Sequence, residues 1–104
     1  MLNAARGVVR FTAGKTLQDY IADDLLQSAV ERRLEIIGEA ANGVTGEFKK
    51  AHPEIAWSGI IKQRHVLAHA YGRIQHAKIW AIATQRIPAL INLLELLLPP
   101  SPSD

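Results

Sequence analysis

The sequence predicts an all-α fold, an up-and-down bundle of four to five helices, and three observations predict it. Nearly half of the 104 residues are hydrophobic but only 6% are aromatic, so Ala, Leu and Ile carry the apolar load, which suits helix packing. Apolar residues recur at helical spacing along most of the chain, and no β-type alternation of useful length interrupts them. The length allows one domain with one core, placed at residues 1–98 with 99–104 as a disordered tail.

Taken in order, residues 2–12 read as a short helix with Leu2, Ala5, Val8, Val9 and Phe11 mostly on one side, ending at Ala13-Gly14. Thr16 caps the next helix, with Asp19 as capping-box partner. From there to Ala41 the pattern is one long helix, with room for a bend near Asp23. Ile21, Leu25, Ala29, Leu34, Ile37 and Ala41 mark one side; Leu26, Val30, Ile36 and Ala40 widen the stripe enough for two packing partners. Gly38 inside this helix points to a close helix crossing. Residues 47–51 add a turn that His52-Pro53 ends.

Residues 54–71 form the central helix. Trp57, Ile60, Ile61, Arg64, Leu67, Ala68 and Tyr71 fall on one stripe of it, and Gly72 stands at its C′ position. Residues 73–75 form a short connection, and a last helix runs from His76 to Leu98, kinked or split by Pro88. Its end, LINLLELLL, is apolar on nearly every side and is buried in its own bundle or in a subunit interface.

Composition removes several function classes. With no cysteine, disulfides and thiolate metal sites are excluded, and a reducing cytoplasmic setting is permitted. The start has no signal-peptide pattern, and no apolar run approaches the ~20 residues of a membrane span. The net charge of +2 is unevenly spread: residues 16–48 carry −5, whereas residues 49–86 carry +6 and all four histidines. That basic block suits an anionic partner such as RNA or a nucleotide, or else a solvated face paired with the acidic helix.

The ionisable groups crowd the stretch WSGIIKQRHVLAHAYG, residues 57–72. Arg64 cannot shed its proton at neutral pH, so among apolar neighbours it needs an anion, a carbonyl or an interface open to water. The stretch admits three readings. His65 and His69 stand four apart and could share a metal, but the further ligands would have to be His52 and His76, without an HExxH context. Alternatively, His69 takes the proton of a ribose 2′-hydroxyl and Arg64 stabilises the phosphorane charge, with no metal required. Five residues set Arg64 and His69 about 140° apart on a helix, so helix fraying or a second copy must supply the geometry. In the third, purely structural reading, Arg64 pairs with Glu35 or Glu39 inside the bundle, His69 caps the helix and Tyr71 packs in the core.

RHVLAHAY resembles the Arg-x4-His-x-Tyr signature of HepT-like toxins, within the HEPN superfamily of small helical ribonucleases. RFTAGKTLQDYIADDLLQSAVERRLEIIGEAA is similar to that family's first half, and HPEIAW to its lead-in, so the resemblance spans most of the chain. It implies a bundle that dimerises through the signature helix region, so that both copies face one cleft. It implies metal-independent RNA cleavage by Arg64 and His69, with no cofactor. It also implies a type VII-like toxin–antitoxin pair, in which a minimal nucleotidyltransferase silences the toxin by transferring AMP to Tyr71. His65 stands where close relatives most often carry Asn, and is assigned a polar supporting role. Lys62 and Arg73, flanking the signature, are candidates for guiding the RNA backbone. The resemblance also implies a short first helix here. The alternative reading is a catalytically weak helical module that docks the nucleotidyltransferase.

Overall fold

In the computed structural model, residues 1–68 and 72–97 are described; for residues 64–68 and 72–74 the description is of the helical backbone alone. The elements are α1 (Leu2–Thr12), α2 (Leu17–Ala22), α3 (Asp24–Asn42), α4 (Gly46–Ala51), α5 (Trp57–Ala68), α6 (Gly72–Ala81), a π-helical turn (Ile82–Arg86) and α7 (Ile87–Leu97). No strand occurs among the described residues. The protein is an all-α bundle, as the sequence predicts. The unbroken run from α6 through α7 joins α1, α3 and α5 as its long members, with α2 and α4 as short connecting helices.

α3 packs against both α1 and α5, and α1 also packs on α7. Its side chains Val30, Leu34, Ile37 and Ala41 are fully buried, together with Ala5 and Val8 of α1, Tyr20 of α2, and Ile79 and Ala83 of the last helical run. This is the two-sided stripe that the wide apolar face of α3 predicts.

The predicted long helix is in fact two. Asp23 takes extended backbone angles and ends α2, then caps α3 by accepting a hydrogen bond from the Leu26 N–H at 3.0 Å. The break resets the helical phase, so Leu26 faces the core while Leu25, expected on the buried side, is 80% exposed. Thr16 and Asp19 form the reciprocal capping box at the start of α2. The Thr16 amide holds the Asp19 carboxyl below its ordinary range.

Three other boundaries differ from the sequence reading. α5 begins at Trp57 rather than 54, because residues 53–56 form a turn in which the Trp57 N–H bonds the Ile55 carbonyl at 2.9 Å. α6 begins at Gly72, so residues 73–75 are helical and not a connection. Nothing in those three residues opposes a helix, and a glycine is tolerated at a helix start. Pro88 does not break the last helix. The wide turn at Ile82–Arg86 precedes it, and Pro88 sits in the first turn of α7, where a missing N–H leaves no intrahelical bond unmade. The tail, residues 99–104, lies outside the described residues.

Candidate active site

Placement of the signature begins two elements upstream. Thr45 caps α4 through the Phe48 N–H, and α4 ends at His52. The buried Trp57 then reaches back, its indole N–H donating to the His52 carbonyl at 3.0 Å. Phe48 lies edge-on to Trp57, with ring centroids 6.1 Å apart, and tilted against His52 at 4.5 Å. The His52 ring contacts Glu54 at 3.1 Å, and Ile55 is buried beneath the turn. HPEIAW is therefore a folded latch that fixes where α5 starts.

One further bond sets the position of α5. Gln63 is 5% exposed and its side-chain amide donates to the Leu34 carbonyl of α3 at 3.1 Å. α5 thus bonds directly to the backbone of α3. Gly38, where the sequence predicts a close crossing, is buried on the same helix, one turn after Leu34. Gln63 is invisible to sequence reasoning because an amide at one turn of a helix carries no periodic signal.

Arg64 and His65 come directly after Gln63, in the last turns of α5. Their side chains lie outside the described residues, as do His69 and Tyr71 altogether. Arg73 belongs to the first turn of α6, where its side chain is likewise not described. Lys62 is exposed, one residue before Gln63. α6, which packs on α5, starts at Gly72, so the signature spans the passage from one helix to the next.

Glu35 and Glu39, the carboxylates that a structural role for Arg64 would use inside the bundle, are both exposed, and Glu35 pairs with Arg32 at 3.3 Å. Lys62, Lys78 and Arg86 of the basic block are exposed and meet no carboxylate among the described residues. Nor do three His, Asp or Glu side chains gather to hold a metal among those residues; His65 and His69 fall outside that set. Beside the first half of α5 an open groove of about 400 Å³ runs between α5 and α7, lined by Ala56, Gly59, Ile60, Gln63, Leu90 and Leu93 among others.

The family model for HepT-like ribonucleases matches residues 1–97. The chain belongs to that family. It is similar to a protein of Thermococcus cleftensis named "Probable ribonuclease HepT", with 37% identity over 90 residues, covering 86% of this chain and 82% of that one. A Methanocaldococcus jannaschii protein named as a candidate RNase is 32% identical over 95 residues, covering 91% of this chain and 78% of its own. Another, from Caldanaerobacter subterraneus, is 31% identical over 90 residues, covering 86% and 80%. No solved structure matches the chain significantly. Among the described residues of this HepT-like chain, no helix is long and apolar enough to cross a membrane.

Proposed function

We propose that this HepT-like chain is the toxin of a toxin–antitoxin pair, a homodimeric endoribonuclease that cleaves RNA without a metal. The carrying observation is the sequence pattern Arg64-x4-His69-x-Tyr71, which begins in the last turns of α5, within a chain that matches the ribonuclease family from residue 1 to 97. His69 removes the proton of a ribose 2′-hydroxyl; the oxygen attacks the adjacent phosphorus and the 5′-oxygen leaves with a proton. Arg64 places N–H donors on the phosphorane oxygens, where charge builds in the transition state. His65 supports this pair, and Lys62 and Arg73 guide the RNA backbone.

The dimer supplies what one helix cannot, a second signature facing the same cleft. The apolar groove between α5 and α7 supports this reading, since it offers surface for a second copy next to the signature. The antitoxin is a nucleotidyltransferase. The Tyr71 hydroxyl attacks the α-phosphorus of ATP, pyrophosphate leaves, and the AMP remains as a bulky anion two residues from His69. That anion blocks the cleft and repels phosphate.

The test is RNA cleavage by purified dimer in excess chelator, wild type against His69→Ala. Cleavage that resists the chelator and disappears in the variant is the expected outcome. Equal residual cleavage by both proteins would overturn the nuclease reading and leave a docking module for the nucleotidyltransferase.

A further inference from the structure

A second set of cationic side chains lies away from the signature. On the outer side of the α1–α3 contact, the guanidinium of Arg33 stands 5.5 Å from the centre of the Phe11 ring, and that of Arg10 stands 5.9 Å from the same centre. Neither has a carboxylate within salt-bridge distance among the described residues. Arg10 is exposed, and Arg33 and Phe11 are half-buried. Two like charges beside one ring repel each other, and the ring's quadrupole offsets only part of that. A bound anion would offset the rest.

A glycine makes room for this pair. Gly7 is buried in the interior of α1, where it costs about 1 kcal/mol relative to alanine. A Cβ built there would lie 3.1 Å from Arg33 Nε and 3.3 Å from its Cζ. The Arg33 side chain therefore lies against α1 at Gly7, and this contact restricts it, which lowers the entropy lost when the guanidinium binds a phosphate. The surroundings add no negative charge from α1: residues 1–15 contain Arg6, Arg10 and Lys15 and no acid, and Glu95 of α7 is engaged with Arg6 at 3.3 Å.

We infer that Arg10 and Arg33, seated on Phe11, form a phosphate-binding surface for single-stranded RNA outside the cleavage site. Phe11 and Gly7 seat Arg33, and Arg10 adds a second fork beside the same ring; the forks bind successive backbone phosphates and offer planes on which unpaired bases stack. The inference rests on the ribonuclease reading for the identity of its polyanion. Its role is to hold the strand on either side of the scissile bond, so it strengthens binding of long RNA and leaves the chemistry of short RNA unchanged.

The probe is a 2′-O-methyl oligoribonucleotide of about 20 nucleotides, which lacks the attacking hydroxyl. Its affinity is measured as a function of salt for wild type and for Arg10→Gln/Arg33→Gln. The double variant is expected to bind about tenfold more weakly, with a log–log salt slope shallower by about 1.4, the value for two single-strand phosphates. Cleavage of a tetranucleotide is expected to be unchanged. Arg33→Lys keeps the charge and restores most of the slope, and Arg10→Gln, at an exposed position, reports half the effect if the double variant fails to fold. An unchanged slope alongside normal cleavage overturns the phosphate surface and leaves the ribonuclease standing. A wild type that neither binds nor cleaves RNA overturns both.

Discussion

α3 starts under an aspartate cap and buries Leu26, Val30, Leu34, Ile37 and Ala41 along its length, whereas α5 starts after Ala56, which has no side-chain acceptor, and buries an indole and an amide in its first seven residues. The two helices pack side by side. α3 is held by a stripe that any similar aliphatic set could supply. Among the described side chains, α5 is held by particular bonds, from Trp57 to His52 and from Gln63 to Leu34, while Ile60 and Ile61 pack against the core only partly buried. A helix fixed at its first half by directional bonds can carry charge in its second half without those charges being needed for the fold.

The comparison can be broken at α3 first. Leu34 is fully buried, so Leu34→Ala removes its transfer energy and leaves a cavity, a loss of about 3 kcal/mol. Denaturant titration should show that loss, while cleavage per folded molecule stays near wild type. A variant as stable as wild type, or one that is folded yet inactive, would show that α3 is not the purely structural member.

How far the sequence foretold these two helices differs for the same physical reason. The stripe of α3 repeats at helical spacing, so Val30, Leu34, Ile37 and Ala41 were all legible as core. The break at Asp23 was legible only as room for a bend, because a capping aspartate reads equally well as a surface residue inside a longer helix, and the stripe therefore counts Leu25 as inward. At the site, Arg64, His65, His69 and Tyr71 were legible as a chemical pattern and as a family signature. Gln63 was not, since its partner is a backbone carbonyl 29 residues away and backbone carbonyls leave no mark in sequence. The start of α6 at Gly72 escaped for a related reason: a glycine that can end one helix can also begin the next.

Gln63 is the place to sharpen the comparison. Gln63→Leu keeps the volume and removes the bond to α3, while Leu34's carbonyl retains its own helical N–H. The expected loss is about 1 kcal/mol, smaller than for Leu34→Ala. Unlike that variant, it should also lower cleavage per folded molecule, because the residue after Gln63 is Arg64 and a shift of α5 moves the signature directly. Thermal melts and single-turnover cleavage measured on one preparation separate the two effects. A lowered melting temperature with full cleavage would mean that the amide bond steadies the bundle without aiming the site.

The smallest expected effect tests whether α3 is structural along its whole length. Glu31 faces the junction with α2 and α6, near the buried Tyr20, whose hydroxyl has no hydrogen-bond partner among the described residues and whose ring lies against His76 and Trp80. Burial raises the Glu31 carboxyl above its ordinary range, and the charge of a nearby His76 lowers it in part. Burial likewise raises the Tyr20 hydroxyl, with Glu31 adding to the shift. A carboxyl whose folded pKa lies above its unfolded value contributes stability below the unfolded pKa and loses it as the pH rises through the folded one. Glu31→Gln is therefore expected to melt slightly higher than wild type at pH 7, with the gap closing as the pH falls through the carboxylate range. A variant that melts lower at pH 7 would mean that the attraction between Glu31 and His76 outweighs the cost of burying the carboxylate, and α3 would then hold α6 through an ion pair as well as through its aliphatic stripe.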